Sequence, residues 1–284
     1  MVSDASGMLY VVATPIGNLD DLSPRATATL IAADLILAED TRHSGRLLRR
    51  LGAGGAILSL HEHNEDQRIA DVLQRLQQGQ SIALICDAGT PLVSDPGFRL
   101  VRAIGEAGYG LVPVPGACAA IAALSVAGLP SDRFAFEGFV ANRAGARRER
   151  LQQLAADART LIFYESPHRI TAFLQDLCAA FGGERRGFVA RELTKLHETG
   201  YRGTLDELSA LARDDPNFSR GELVIVVAGM TSAPAADQAD LDATLAVLLE
   251  ELPAKQAARV AARLLGIGRN EAYRRTLELK TDKA

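Results

Sequence analysis

Short apolar segments alternate with longer amphipathic segments through the first half of the chain. The predicted strands of this half are residues 9–13, 35–38, 56–60, 82–86 and 110–114. The predicted helices between them are residues 23–33, 42–52, 65–78, 97–107 and 118–128. Ser23 and Pro24 stand at a predicted helix start, and Gly52 and Gly79 at predicted helix ends. Strands that alternate with helices in this way predict a mainly parallel sheet covered on both faces.

The pattern changes in the second half of the chain. The predicted strands here are residues 133–140, 161–165, 187–192, 201–205 and 222–229, with helices at 166–181 and near 205–213. Two of these strands follow each other without a helix between them, so the second sheet should be mixed. A domain boundary is predicted near 126–132, which gives an N-terminal α/β domain at 1–128 and a second α/β domain at 129–230.

The C-terminal tail, residues 231–284, has a different composition. An Ala/Pro/Asp-rich linker at 231–240 precedes continuous helical periodicity, and a Gly-containing turn divides the last part as in a helix-turn-helix. Seven basic and two acidic residues lie between Leu252 and Lys280, which indicates either a solvated helical cap or an RNA-binding face. A second arginine cluster at 142–150 is, taken alone, typical of a solvated helix start.

Composition limits the possible classes of protein. The 284 residues are 48% hydrophobic and 23% charged with a formal net charge of −4, which indicates a soluble globular protein without general attraction to nucleic acid or membrane. The N-terminus lacks the pattern of a signal peptide, and no apolar stretch approaches the roughly 20 residues of a membrane span. The three cysteines are far apart, and there is no HExxH motif. A cytoplasmic protein without a bound metal is therefore expected.

Three unusual loops follow predicted parallel strands, "ATPIGNLDD" (13–21), "DAGTPLVSDPG" (87–97) and "PVPGACAA" (113–120). Ligands of open α/β sheets bind at these strand ends. Gly89 and Gly97 allow positive φ, and Asp95 is predicted to cap the following helix, which leaves Asp87 and Thr90 for a ligand. No phosphate-loop motif occurs, and no lysine precedes position 195. These loops suit a zwitterionic, adenosine-bearing ligand better than a polyphosphate.

Seven motifs in order carry a family resemblance: "YVVATPIGNLDDLSPRA", "AEDTRHSGRLL", "SLHEHNE", "ICDAGTPLVSDPG", "VPVPGACAAIAALSVAGLP", "FYESPHRI" and "RELTKLHE". Together they resemble the small-subunit ribosomal RNA methyltransferase I family, which belongs to the S-adenosylmethionine-dependent class that includes the tetrapyrrole methylases. The resemblance extends from about Leu9 to Ala228, and the C-terminal helix-turn-helix also matches.

The resemblance implies a two-domain tetrapyrrole-methylase-like α/β fold with S-adenosylmethionine held in the cleft between the domains. It implies 2′-O-methylation of a cytidine in the decoding region of 16S rRNA by a homodimer, with the small ribosomal subunit as the expected partner. The end of the strand at 222–229 would help to close over the adenine. The implied cofactor contacts are Ile16, Asp87, Ala88, Gly89, Thr90, Ala117, Cys118 and Tyr164.

A ribose 2′-hydroxyl is a weak nucleophile, so a base or a positive charge near the developing alkoxide should assist its attack. Lys195 is the expected source of charge, with Glu192 or Glu165 as proton acceptor and Arg191 beside them. The alternatives are solvated charges at an ordinary strand end and, for Ser166 and Pro167, a simple helix start. The candidates for RNA binding are Asn18, Arg42, Asn64, Arg147, Arg148, His168, Arg169, Arg263 and Arg274.

Two functions of other kinds remain open. A non-enzymatic RNA-binding protein would use the tail and the arginine cluster at 142–150, but it leaves the three loops unexplained. A tetrapyrrole methylase would have the same cofactor and cleft, but it has no need of a basic helix-turn-helix. A serine hydrolase is disfavoured because no GxSxG motif occurs.

Overall fold

A computed structural model of the chain describes residues 7–61, 64–230 and 238–281. The chain divides into two compact units, one formed by the described residues up to Leu151 with Thr160–Ala228, the other by Gln152–Arg159 with the described residues from Gly229 onward. The N-terminal segment, His63 and most of the predicted linker lie outside the described residues. Within the described ranges, no helix has the length and apolar character that crossing a membrane requires.

The first sheet is entirely parallel and has the order β3-β2-β4-β1-β5. Its strands are β1 (Met8–Val12), β2 (Leu35–Ala38), β3 (Ala56–Ser59), β4 (Ser81–Ile85) and β5 (Gly110–Val114). The helices of this half are α1 (Pro24–Ala32), α2 (Thr41–Leu51), α3 (Glu65–Gln77), α4 (Phe98–Glu106) and α5 (Ala119–Ala127). Two apolar clusters fill the core around this sheet. The predicted parallel sheet is confirmed, with element ends within two residues of the prediction.

Helix ends follow the local sequence signals. Ser23 caps α1, with its hydroxyl accepting from the Ala26 N–H at 3.0 Å, and Pro24 is the first helical residue. Asp40 caps α2 by accepting from the N–H groups of Arg42 and His43, and that helix ends at Gly52 with φ of 73°.

The second sheet is mixed and has the order β6-β7-β10-β8-β9. Only β6 and β7 pair in parallel among its described strands; the other pairs are antiparallel. The elements of this half are β6 (Phe134–Phe139), α6 (Ala144–Leu154), β7 (Thr160–Glu165), α7 (Ile170–Phe181), β8 (Arg186–Arg191), β9 (Thr199–Thr204), α8 (Leu205–Asp214) and β10 (Leu223–Val227). The predicted mixed sheet is confirmed.

The domain boundary predicted after residue 128 stays a prediction. The first sheet ends with β5 and the second begins with β6, and α5 between them packs in one apolar cluster with residues of β7, β8 and β10. Both sheets belong to the same compact unit.

Two predicted helix caps are wrong. α7 begins at Ile170 rather than at Ser166, because residues 166–169 form a turn in which the Arg169 N–H donates to the Ser166 carbonyl. Asp95 does not cap α4, whose N-cap is Gly97 without a side-chain hydrogen bond.

The second compact unit contains α9 (Gln238–Glu251), α10 (Ala254–Leu265) and α11 (Arg269–Thr281). α10 ends at Gly266 in the left-handed conformation, so the predicted helix, glycine turn and helix are confirmed. Leu241, Leu245 and alanines of α10 and α11 form a small core. The Arg275 guanidinium group donates two hydrogen bonds of 2.6 Å to Asp242 of α9.

Candidate active site

A cavity of about 470 Å³, the first cavity, lies where loops of the parallel sheet face the second sheet. Its volume is within the range of small-molecule sites, about 300–1,000 Å³. Seven of the eight residues expected to contact the cofactor line it: Ile16, Asp87, Ala88, Gly89, Thr90, Cys118 and Tyr164. The eighth, Ala117, does not line it but accepts a hydrogen bond from the Thr90 hydroxyl at 2.9 Å. Their contact with the cofactor stays a prediction.

The loops at the strand ends are tied together by backbone contacts. Thr14 and Gly89 exchange two backbone hydrogen bonds of 2.8 and 3.1 Å, and Thr90 connects the second loop to the third. Gly89 has φ of 91°, and a Cβ there would lie 3.3 Å from Ile16 Cγ2. Leu92 and Ser94 have φ near 71°, a conformation that non-glycine residues adopt at a cost. The loop is therefore a rigid wall whose backbone a ligand can approach.

Three carboxylates, Glu39, Asp87 and Asp95, line the same cavity. Burial, together with the negative charges of Asp95 and Asp87, raises the pKa of Glu39. Burial and the charge of Asp87 also raise the pKa of Asp95. A positively charged ligand would relieve this repulsion, so the cavity fits the sulfonium and ammonium groups of S-adenosylmethionine. Sequence reasoning had assigned Asp95 to a helix cap and so missed its place in this cluster.

Tyr164 forms part of the wall from the second sheet. Its hydroxyl oxygen accepts from the Ala120 N–H at 3.1 Å, and burial raises its pKa. The ring makes edge contacts with Phe136 and Phe139, at centroid distances of 4.9 and 5.6 Å. This aromatic group gives the cavity a broad apolar surface, which suits an adenine ring.

Glu165 is the most enclosed ionisable group of the first cavity, with only 3% of its surface exposed. One carboxylate oxygen accepts from the Ser166 N–H at 2.7 Å. The other lies 3.0 Å from Arg169 Nη2 but makes no hydrogen bond within the described residues. Burial raises the pKa of this carboxyl group. A buried carboxylate with a raised pKa is a suitable proton acceptor.

The "RELTK" segment folds into a tight loop after β8. Glu192 and Thr194 both have positive φ, 55° and 64°. Lys195 Nζ lies 2.8 Å from Glu192 Oε1 and 3.3 Å from Glu222 Oε2. Burial disfavours the charged forms, but hydrogen bonds outweigh it, raising the pKa of Lys195 and lowering that of Glu192. Lys195 is therefore a stable cation, and the paired Glu192 is a weaker base than Glu165. Arg191 contacts Thr199 and lines neither cavity.

A second cavity of about 330 Å³ adjoins the first. The two share Ile16, Asp87, Ala88 and Glu222 in their walls. Lys195 lines the second cavity and not the first. Asp87 of the acidic cluster and Glu222, a partner of Lys195, therefore line both cavities.

The residues expected to bind RNA fall into two groups. Asn18, Arg42, Arg148, His168, Arg263 and Arg274 are exposed. Arg169 is partly buried, and its guanidinium group donates hydrogen bonds to the Val140 carbonyl and to Asn142 and pairs with Glu165. Asn64 forms hydrogen bonds with Ser59 and His61.

Arg147 is only 6% exposed, and its guanidinium group lies 2.6 Å from the equally buried Asp176. Its side chain holds α6 to α7 and does not face solvent, so it is not part of the RNA surface proposed below.

No group of three or more His, Cys, Asp or Glu side chains suited to a metal ion occurs within the described ranges. The expectation of a metal-free site stays a prediction.

Known proteins share this sequence and fold. The profile of the family described as Tetrapyrrole (Corrin/Porphyrin) Methylases matches residues 8–209, and that of the RsmI C-terminal HTH domain matches residues 235–280. The ribosomal RNA small subunit methyltransferase I of Escherichia coli O157:H7 is 49% identical over 275 residues, 97% of this chain and 96% of that protein. The protein of the same name from Pseudomonas aeruginosa is 50% identical over 276 residues, 96% of this chain and 98% of that protein.

Solved structures show the same fold at lower identity. Uroporphyrin-III-C-methyltransferase from Thermus thermophilus has a TM-score of 0.54 at 23% identity, covering 78% of this chain and 94% of that chain. Diphthine synthase has a TM-score of 0.60 at 14% identity, covering 78% of this chain and 90% of that chain. The extent of the sequence identity places this chain in the ribosomal RNA small subunit methyltransferase I family, which has the tetrapyrrole methylase fold.

Proposed function

We propose that the protein transfers a methyl group from S-adenosylmethionine to the ribose 2′-hydroxyl of a cytidine in the decoding region of 16S rRNA. The observation that carries the proposal is the pair of adjoining cavities, one with a carboxylate cluster suited to a cation and the other with a lysine ammonium group. The relatives at about 50% identity are named as methyltransferases of small-subunit ribosomal RNA.

When bound, S-adenosylmethionine supplies a methyl group on a sulfonium. The C–S bond would break as the O–C bond forms, so that neutral S-adenosylhomocysteine is the leaving group and the hydroxyl proton is released. The rigid loop from Asp87 to Thr90 would fix the donor, and Glu39 and Asp95 would face its positive charge. Tyr164 would cover its adenine, and Ile16 and Cys118 would complete the wall. Positioning of this kind accounts for much of the rate of an in-line transfer.

The acceptor would be supported by charges that are already in place. Lys195 remains protonated between Glu192 and Glu222, so it can stabilise the developing alkoxide but cannot take its proton. Glu165, buried at the wall of the first cavity, is the better proton acceptor. In this scheme Glu192 positions Lys195, and Arg191 has no direct chemical role.

The exposed candidates Asn18, Arg42, Arg148, His168, Arg263 and Arg274 form the proposed RNA contacts. Exposed guanidinium groups on both compact units can bind phosphates, and such contacts make the affinity for RNA depend on salt concentration.

We also propose that the protein is a cytoplasmic homodimer that acts on the small ribosomal subunit. Sedimentation of the purified protein tests the dimer.

The decisive experiment uses small ribosomal subunits and free 16S rRNA from a strain that lacks the protein. Incubation with labelled S-adenosylmethionine should label the RNA, and nucleoside mass analysis should identify 2′-O-methylcytidine at one position. A label on a base, or none in either substrate, would contradict the proposal. A parallel reaction with uroporphyrinogen tests the tetrapyrrole function that the related solved structures suggest, and methyl transfer to it would favour that alternative.

A further inference from the structure

The second cavity contains a polar group that the fold leaves without a partner. Ser44 of α2 is only 3% exposed, and its hydroxyl makes no hydrogen bond within the described residues. A helical serine commonly donates to a carbonyl one turn earlier, but this one does not. A buried hydroxyl without a partner destabilises the free protein, so its position in a cavity wall indicates a ligand that satisfies it.

The chemistry of the wall limits the ligand. Pro15, Leu19 and Leu47 supply apolar surface, while Ser44, Lys195 and Glu222 supply donors and an acceptor. A polyphosphate is disfavoured, because the ammonium group of Lys195 is already paired with two carboxylates. A nucleoside, with apolar faces and a polar edge, matches this mixture, and about 330 Å³ is at the lower end of small-ligand sites.

The position of this cavity relative to the first one supplies the second argument. A methyl acceptor must touch the donor, and the two cavities share the side chains of Ile16, Asp87 and Glu222. Specific RNA recognition usually involves bases that have left the stack and are held in a protein pocket. We propose that the second cavity receives a single unstacked nucleoside of the RNA substrate, which the Ser44 hydroxyl contacts through a hydrogen bond. This inference rests on the proposed function and states where the nucleoside that accepts the methyl group binds.

Ser44→Ala separates a ligand contact from a structural role. If the hydroxyl serves only the fold, removing it lowers the melting temperature. If it serves the ligand, the melting temperature stays equal or rises, because an unpaired buried group has been removed, while kcat/KM for RNA falls roughly tenfold. Ser44→Leu, which fills the cavity, should cause a larger loss. Ser125→Ala removes an exposed helical hydroxyl that bonds to the Ala122 carbonyl, and it serves as the matched control.

Three measurements are made on the full-length protein. Calorimetry with S-adenosylmethionine should give wild-type affinity for all variants. Filter binding of unmodified 16S rRNA to the protein loaded with S-adenosylhomocysteine should be weaker for both Ser44 variants than for Ser125→Ala. Single-turnover transfer at varied RNA concentration should show the loss of kcat/KM.

Wild-type RNA affinity and transfer in Ser44→Ala would overturn the inference, and so would a lowered melting temperature or a parallel loss of cofactor affinity. A wild-type protein that methylates no ribosomal RNA would instead refute the proposed function, and the filter-binding comparison would still test the cavity.

Discussion

Gly17→Ala should displace Lys195 without altering the backbone of the loop after β1. A Cβ on Gly17 would lie 2.4 Å from Lys195 Cγ and 3.1 Å from both Lys195 Cε and Thr194 Oγ1. Carbon atoms in contact stay about 3.5–4.0 Å apart, so the lysine stem must move by more than an ångström. Because Cγ lies near the backbone, a rotation of the distal atoms alone does not relieve the overlap.

The size of the effect follows from the contacts that Lys195 would lose. Its bond to Glu192 is 2.8 Å long and both side chains are largely buried, 26% and 18% exposed, whereas the second partner, Glu222, is 74% exposed. A hydrogen bond between charged groups contributes about 1.5–3 kcal/mol, and partial solvent screening places this one near the lower end. We expect Gly17→Ala to lower the free energy of unfolding by about 1.5–2 kcal/mol.

Urea unfolding of four proteins tests this reasoning: wild type, Gly17→Ala, Lys195→Ala and the double variant. Lys195→Ala removes both lysine atoms that the added Cβ would strike and leaves only the milder approach to Thr194 Oγ1. In that background the glycine substitution should therefore cost less than about 0.5 kcal/mol. Single-turnover transfer should fall in Gly17→Ala as in Lys195→Ala, with unchanged cofactor affinity. Equal costs of Gly17→Ala in both backgrounds would refute the steric coupling, and an unchanged transfer rate would refute the role of Lys195.

Three further predictions concern other parts of the first compact unit. Arg147→Met should lower the free energy of unfolding by about 3 kcal/mol, because it leaves the buried carboxylate of Asp176 with one partner. Arg148→Met, at a side chain that is 65% exposed, should lower it by less than about 1 kcal/mol. Equal losses of the two variants in chemical denaturation would contradict this prediction. The pKa values of Glu39 and Asp95 are raised, so these groups ionise at a higher pH than ordinary carboxyl groups. The preference for S-adenosylmethionine over neutral S-adenosylhomocysteine should therefore grow as rising pH ionises them, and calorimetry of Asp95→Asn should show a flatter pH profile. Gly89→Val should weaken cofactor binding at least about tenfold, because φ of 91° disfavours a branched residue and the added Cβ approaches Ile16; unaltered calorimetry would exclude this loop as the cofactor wall.

The sequence predicted the fold well because the relevant signals are local. The strands of the parallel sheet are short apolar runs such as "LILA", and the helices start and stop at residues such as Ser23 and Gly52 whose backbone preferences are strong. The strand-end loops could also be recognised, since a run with Gly89 and several prolines is unusual wherever it occurs. The position of the first cavity at these loops follows from the general geometry of α/β sheets.

Contacts between distant segments were not predictable in the same way. Asp95 looked like a helix cap from its neighbours, but the adjacency of β2 and β4 brings its loop near Glu39. Arg147 and Arg148 are adjacent in the arginine cluster, yet only the packing of α6 on α7 makes one buried and the other exposed. The contact between Gly17 and Lys195 joins loops from different sheets, so no local pattern indicates it.

The charges in the two cavities should affect different steps of the reaction. A negative cluster beside a sulfonium strengthens binding of the donor, but that attraction weakens as the methyl group leaves and the sulfur becomes neutral. In the proposed mechanism, Glu39 and Asp95 would therefore stabilise the bound donor more than the transition state, which would not accelerate transfer. The same two carboxylates would favour exchange of the neutral product for a new cationic donor. Lys195 would act in the opposite sense, because its attraction would grow as negative charge develops on the acceptor oxygen. Substitutions in the acidic cluster should consequently change the ratio of donor to product affinity, while substitutions of Lys195 should change the rate of transfer.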